Sequence, residues 1–522
     1  MPSTSTNQTD FNPTTGRWVL ATVILGSAMA FIDGSGVNIA LPVIQRELGV
    51  DTRAVQWIFE AYVLVLAAFT LVGGALCDQY GRRRCYAIGI ILFSAASLGC
   101  AAAVDVRQLI IARGLQGIGG ALLVPGGLAL IGGYFPAEQR GRAIGTWAAF
   151  GAIGGMLAPL MAGSLVDAFS WRWIFYLNLP LSVITLTLLY KHVPESHDSA
   201  RKGRPDWLGA VLVSAALGLL VFGLIEYPRL GISDALVSGP LLAGTTLFAL
   251  FLWVESKTPS PMLPLGLFRS RLFSGVNLAT LLLYTGLNGT FFFLPFYLIY
   301  VLEFSAIQAG ASFMPMSIGI FLLSRRVGGM AGHHPRALLV FGSGCVALAY
   351  WLLSRAGVDT NYWLTVFPGV LMIGIGMGFC IAPITNVALG AVRSSQAGVA
   401  SGVNNAVARL SSVLAIALFG IVITTSYNRS LDQGLEMMAA SPATITYFAT
   451  ERGKLAAAKP PADMDKMQAA ALHQLVKSAF SQGFAHACLF SMALSLATAL
   501  CCWLTVPVAG ISATPIQSSG DN

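Results

Sequence analysis

Charge is scarce in this chain. Asp, Glu, Lys and Arg together supply only 10% of its 522 residues, while 55% are hydrophobic. A soluble protein of this length needs about a quarter of its residues charged to cover its surface, so a soluble globular fold is excluded. Histidine is also rare: the six residues (192, 197, 333, 334, 473, 486) fall in expected loops or near span edges. They form no His/Ser/Cys constellation at one depth, which argues against a membrane enzyme. The eight cysteines (77, 85, 100, 345, 380, 488, 501, 502) are scattered, with no CxxC pair and no His at ligand spacing. They read as small buried hydrophobes, and neither a metal nor a cofactor is expected. GxxxxGK[ST] is missing, which excludes a P-loop for ATP. GIGGAL (117–122) and GIGMGF (374–379) stand inside apolar runs with no strand before them. They are packing glycines and not dinucleotide sites.

Long apolar sequence is what the chain has in quantity. Hydropathy predicts fourteen spans: 18–41, 56–76, 86–104, 108–132, 142–166, 172–191, 207–226, 236–254, 272–300, 306–327, 336–354, 362–390, 397–424 and 484–507. Spans of this kind cross a hydrocarbon core of about 30 Å as helices. The 56 glycines suit membrane helices that pack closely. The first span is too long for a signal peptide, and no small-residue cleavage site separates it from the second. The expected fold class is therefore an all-α polytopic membrane protein, with the lipid bilayer as its main partner.

An even number of spans puts both termini on one side. With that side cytoplasmic, the inner segments carry seventeen Lys and Arg and the short outer segments six. This asymmetry favours cytoplasmic tails at 1–17 and 508–522. The net charge of +8 is thus mostly a topology signal, and no nucleic-acid partner is expected. Residues 425–483 are the one long hydrophilic stretch. They read as an extracytoplasmic loop with a surface helix at ALHQLVKSAF, or alternatively as a lid over an outer opening.

Against this background a few intramembrane charges stand out. Asp33, in FIDGSGVNIALP, is the only charge between Arg17 and Arg46. At the helical rise it lies about 12 Å below the outer end of span one, and Arg113 lies about 9 Å deep in span four. Glu60 in span two is shallower, where headgroup water is expected to reach it. Arg113, Gln116, Gly117 and Gly120 follow i, i+3, i+4, i+7 spacing and make one small, polar helix face. Arg409, beside Asn404 and Asn405, has no acidic partner at equal depth. A lone charge in the membrane costs several kcal/mol unless paired or wetted. Asp33 and Arg113 therefore read either as a static pair holding helices together or as a proton-exchanging pair.

Between spans two and three stands GGALCDQYGRRR (73–84). Its Gly and Asp spacing asks for a tight turn, with Asp78 pairing with nearby Arg or capping the next helix. The stretch resembles the cytoplasmic loop motif of the major facilitator superfamily, G-x-L-x-D-x-x-G-R-R-R. Gly74, Leu76, Asp78, Gly81, Arg82, Arg83 and Arg84 occupy every fixed position. Other stretches resemble the fourteen-span drug:proton antiporter branch. These are IDGSGVNIALP (32–42), WIFEAYVL (57–64), RGLQG (113–117), WRWIFYLNLP (171–180) and the span-five run GTWAAFGAIGGMLAPLMAG (145–163). In span five, Gly151, Gly154, Gly155 and Pro159 keep the antiporter pattern, whereas Ala158 and Ala162 replace its usual glycines. SRRVGGMAGHHPR (324–336) looks like a decayed second copy of the loop motif, with Gly332 or His333 where the family often has Asp.

The resemblance implies a major facilitator fold. Two six-helix bundles (18–191 and 272–507) would flank two extra linker spans (207–254), making 14 helices. It implies a monomeric, proton-driven exporter of small amphipathic compounds in the cell inner membrane, with the small molecule and protons as its partners. Spans one and four line the central cavity in that fold, so Asp33 and Arg113 are expected to face one wet cavity. Asp33, Arg113 and Glu60 become proton-coupling candidates, and Gly74, Asp78, Gly81, Arg82 and Arg83 a cytoplasmic gate. Candidate cavity residues are Asn38, Gln116, Tyr284, Asn288, Tyr297, Met377, Asn386, Asn404 and Arg409. Rival readings are a dedicated exporter of one metabolite, siderophore or lipid, and a non-transporting sensor or scaffold.

Overall fold

Several of the rare carboxylates begin helices. Asp51 accepts from the Ala54 N–H at 2.9 Å, Asp105 from Gln108 at 2.9 Å, Asp206 from Gly209 at 2.8 Å and Asp234 from Leu236 at 2.8 Å. Each satisfies an N–H that the helix itself leaves free. Asn12 does the same for Thr14, so the first helix starts at Pro13, earlier than hydropathy indicates.

The computed structural model describes residues 12–196, 206–258, 261, 263–330, 332–393, 396–461 and 464–508, without the side chains of residues 71, 78, 137, 138, 152, 325, 397 and 398. The described residues form helices and no strand. In chain order these are α1 (Pro13–Leu48), α2 (Thr52–Tyr80), α3 (Arg82–Ala102), α4 (Val106–Tyr134), α5 (Ala137–Ala168), α6 (Arg172–Tyr176), α7 (Asn178–His192), α8 (Trp207–Leu230) and α9 (Ala235–Lys257). There follow α10 (Arg271–Phe296), α11 (Ala306–Ala311), α12 (Met314–Met330), α13 (Pro335–Leu353), α14 (Val366–Gly390), α15 (Ala397–Met437), α16 (Pro442–Glu451) and α17 (Lys466–Thr505). With α6–α7 and α11–α12 each forming one span, 14 helical segments are long and apolar enough to cross a membrane. All eight cysteines are free thiols, and all but Cys501 are buried.

Helices α1–α7 pack among themselves, as do α10–α17, while α8 and α9 pair and α8 lies against both α2 and α15. Small residues permit the closest crossings. A Cβ on Gly73 would fall 2.0 Å from the Ala121 carbonyl oxygen, so α2 and α4 meet backbone to backbone there.

The two groups meet at the end that carries the α1–α2 turn. Asp167 of α5 caps α11, accepting from the Ala306 and Ile307 N–H groups at 3.0 and 2.8 Å. The Tyr300 hydroxyl donates to the Pro42 carbonyl at 2.6 Å, and Gln56 of α2 to the Ile416 carbonyl of α15 at 3.1 Å. A Cβ on Gly163 or Gly310 would fall 2.3 Å from the Ala306 oxygen or 2.2 Å from the Pro159 oxygen. These bonds joining the two groups lie toward this end. Midway along α5, Gly154 and Gly155 face open space. Of the span-five glycines expected to permit close approach, Gly151 does so, a Cβ there falling 2.9 Å from the Phe31 ring, while other close crossings occur at Gly36, against Ala158 and Ala162, and at Gly163.

The 425–483 stretch differs most from expectation. Helix α15 runs on to Met437 and α17 begins at Lys466, so most of the expected loop is a helical hairpin. Leu431, Leu435, Phe448, Leu472, Val476 and Phe480 form its buried core. Between α16 and α17, residues 452–457 fold back onto the first group, where Gln45 donates to the Lys454 carbonyl at 3.2 Å.

Candidate functional site

Asp33 on α1 and Arg113 on α4 are brought together. The guanidinium Nη1 donates to Asp33 Oδ2 at 2.6 Å and to Gln116 Oε1 at 2.7 Å. Gln116 Nε2 donates to Asp33 Oδ1 at 2.8 Å, and Arg113 Nε to the Ile58 carbonyl at 3.1 Å. The guanidinium lies 4.3 Å from the centre of the Tyr62 ring, on whose face a cation is favoured. Asp33 and Arg113 are both fully buried. The expectation of a wet cavity here is therefore corrected. Gln116, a backbone carbonyl and an aromatic face surround the pair, and Arg113 Nη2 is buried with no hydrogen-bond partner among the described residues. Gln116 accordingly belongs to the charge cluster and not to a cavity wall.

Glu60 departs further from expectation. It is fully buried, and neither carboxylate oxygen has a hydrogen-bond partner among the described residues. It stands one turn from Gln56, the residue that bridges α2 to α15. Near it, Trp57, Val63 and Leu64 of α2 pack against Val221, Ile225, Val413 and Ala417 of α8 and α15. Helix α8 covers this seam, so headgroup water does not reach the carboxyl. Arg409 of α15 makes no hydrogen bond or ion pair among the described residues.

Between the groups lies a cavity of about 210 Å³, lined by Asn38, Phe59, Gly155, Asn288, Phe291 and Phe313 among others. Asn38 Nδ2 donates across it to the Phe291 carbonyl at 2.8 Å. Five other candidates lie away from it. Tyr297 is fully buried, donating to the Gly357 carbonyl at 2.7 Å and stacking on Phe484. Met377 is packed inside the α10–α17 group. Asn404 donates to Asn277 and Thr280 of α10, and Asn386 is exposed. Tyr284 is half-buried, packed against the same core as Met377.

At the arginine-rich end, Gly81 has φ of 105°, a left-handed backbone that favours glycine. The Asp78 side chain lies outside the described residues. A residue that sequence reasoning missed caps α3. The Glu195 carboxylate accepts from the Arg83 and Arg84 N–H groups at 2.9 and 3.2 Å, and stands 3.9 and 3.7 Å from their guanidinium Nε atoms. It lies just past span six in a polar segment, where nothing distinguishes one acid from the next.

A tightly held buried ion pair, a bare buried acid and a cavity between two helix groups together describe a device that can move a charge and a solute. The family model for the Major Facilitator Superfamily matches residues 23–416. The chain is 33% identical over 419 residues to the Multidrug resistance protein Stp of Mycobacterium tuberculosis, covering 80% of this chain and 78% of that one. It is 34% identical over 412 residues to the Puromycin resistance protein pur8 of Streptomyces alboniger, covering 78% and 82%. Among solved structures, a bacterial homolog of the human lysosomal transporter Spinster, in an inward-facing and occupied conformation, superposes with a TM-score of 0.67 at 15% identity. That match covers 95% of this chain and 97% of that one.

Proposed function

Since this chain belongs to the Major Facilitator Superfamily and is a multi-pass membrane transporter of small molecules, not an enzyme, we propose that it exports small amphipathic compounds, drugs and antibiotics among them, in exchange for protons. The names of the two relatives support the substrate class. Residues 18–191 and 272–507 act as two rocking bundles, with 207–254 as linker spans. The excess of Lys and Arg on one side supports a cytoplasmic arginine-rich end, with both termini inside the cell inner membrane. The chain acts as a monomer. Gly74, Asp78, Gly81, Arg82 and Arg83, joined by Glu195, form the cytoplasmic gate.

One observation carries the proton reading: two carboxyl groups lie at membrane depth in opposite states of satisfaction. Asp33 accepts from two donors, Arg113 Nη1 and Gln116 Nε2. Glu60 has none, and burying an unpartnered carboxylate ion costs several kcal/mol. In this conformation Glu60 therefore holds its proton. Parting of the α2–α15 seam wets Glu60 from the far side and lets it exchange that proton. Tilting of α1 against α4 loosens the Arg113 contact and lets Asp33 take up and release one. The membrane potential supplies about 2.3 kcal/mol per charge per 100 mV.

The test is puromycin uptake into energised inverted vesicles. Asp33→Asn and Glu60→Gln should each abolish proton-driven accumulation while leaving energy-independent exchange. Full accumulation by both variants refutes coupling through these groups.

A further inference from the structure

Two thiols bracket the turn between α2 and α3. Helix α2 ends at Tyr80, Gly81 makes the turn and α3 begins at Arg82. Cys77 and Cys85 therefore stand three residues back from the turn, one on either helix. Their side chains meet. Cys85 Sγ lies 3.4 Å from the carbonyl oxygen of Leu76, the group bonded to the Cys77 nitrogen. The two thiols share a side-chain hydrogen bond. Cys77 Sγ also lies 3.9 Å from the Leu122 carbonyl oxygen of α4. Cys77 is fully buried, whereas Cys85 keeps 6% of its surface. It does so at the arginine-rich end, next to Arg84, whose side chain is 77% exposed. Burial as a small hydrophobe accounts for either thiol by itself. Their contact adds a chemistry that neither has alone.

We propose that Cys77 and Cys85 are a redox-modified pair, which hydrogen peroxide joins as a disulfide that staples α2 to α3 across Gly81. The Cys85 sulfur attacks the peroxide. An S–O bond forms, the O–O bond breaks, and one water leaves with the thiol proton, giving a sulfenic acid. The Cys77 sulfur then attacks the sulfenic sulfur. The S–S bond forms, the S–O bond breaks, and hydroxide leaves as a second water with the Cys77 proton. Two thiols are oxidised and one peroxide is reduced to two waters. Only Cys85 has to meet the oxidant, so the burial of Cys77 is no bar. Disulfides on the cytosolic side are characteristically transient and redox-sensing, and a dithiol reductant reverses this one. A disulfide holds its sulfurs about 2.05 Å apart. Closing to that distance draws Cys77 from its contact with α4 and fixes the turn that carries Gly81, Arg82 and Arg83. The staple therefore slows transport. That last step rests on the gate of the export reading; the bond itself does not.

The test treats the purified full-length protein, folded in detergent, with hydrogen peroxide. Remaining thiols are then blocked and the protein is digested with trypsin without reduction. Trypsin cuts at Arg82, Arg83 and Arg84, between the two cysteines, so the bond appears in the mass spectrum as two peptides joined. Dithiothreitol should part them. Cys77→Ser and Cys85→Ser should each abolish the joined species. In inverted vesicles, peroxide should lower puromycin uptake severalfold in wild type, reversibly with dithiothreitol, and should spare both variants. Failure of the folded protein to give the joined peptides overturns the pair. So does a bond that leaves uptake unchanged, or an equal loss of uptake in both variants. If untreated wild type accumulates no puromycin, it is the export reading that fails, and the joined peptides alone still decide the bond.

Discussion

Asp33 and Glu60 show how differently two carboxyls fare within one bundle. Asp33 is buried but answered by Arg113 and Gln116. Asp33→Asn leaves the Arg113 charge uncompensated, and breaking such a pair costs about 3–5 kcal/mol. Arg113→Met combined with Asp33→Asn should cost much less than the sum of the single changes, as read from denaturant unfolding in detergent. Additive losses would mean that the two groups are not coupled. Glu303, in the turn after the π-helical stretch Tyr297–Val301, is a quieter case. Its carboxyl accepts from Lys477 Nζ at 2.6 Å, and that hydrogen bond and charge hold its pKa below the usual carboxylate value. A lowered pKa gives stability that is present above the usual range and lost as the pH falls through it. Glu303→Gln should therefore lower Tm slightly at neutral pH, with the difference from wild type shrinking as the pH falls below about 4. A difference independent of pH would exclude this pair as its source.

At the scale of helices, the crossings at Gly163 and Gly310 decide which end can shut. Gly163→Val puts a side chain against the Ala306 backbone, 2.3 Å from its carbonyl oxygen at Cβ alone. It should hold α5 away from α11, widening spin-label distances across the far ends and abolishing uptake. Unchanged distances would mean that the crossing absorbs the bulk. The fourteen spans were legible because each is an apolar run of bilayer length. The true lengths of α15 and α17 were not, because hydropathy fades where a helix leaves the bilayer although its backbone continues. Asp33 and Arg113 were legible as isolated charges at similar depth. The burial of Glu60 was not, because depth gives no facing, and the facing depends on α8 from a distant part of the chain. The Asn38–Phe291 bond escaped notice too, although Pro295 was its visible signal: it marks a carbonyl in need of a donor from elsewhere.

Over the whole molecule, contacts crowd one end and open space the other. Labels placed on α5 and α12 near the arginine-rich end should approach each other as those near Asp167 and Ala306 separate, when substrate and a proton gradient are supplied together. Movement at one end alone would exclude rocking of rigid groups. Helix α8, tied to α2 where Arg53 Nη1 meets Glu226 Oε2 at 2.6 Å, must slide on α15 during that motion. Its apolar face against Val413 and Ala417 suits sliding, since it has no directional bonds to break. The α15–α17 hairpin has one practical consequence. Helices of 41 and 40 residues outrun a bilayer, and the hairpin stands about 20 Å clear of it. For a 55.0 kDa protein otherwise hidden in a detergent belt, that stiff mast is a built-in fiducial for aligning single-particle images and an accessible epitope for a conformation-reporting antibody fragment.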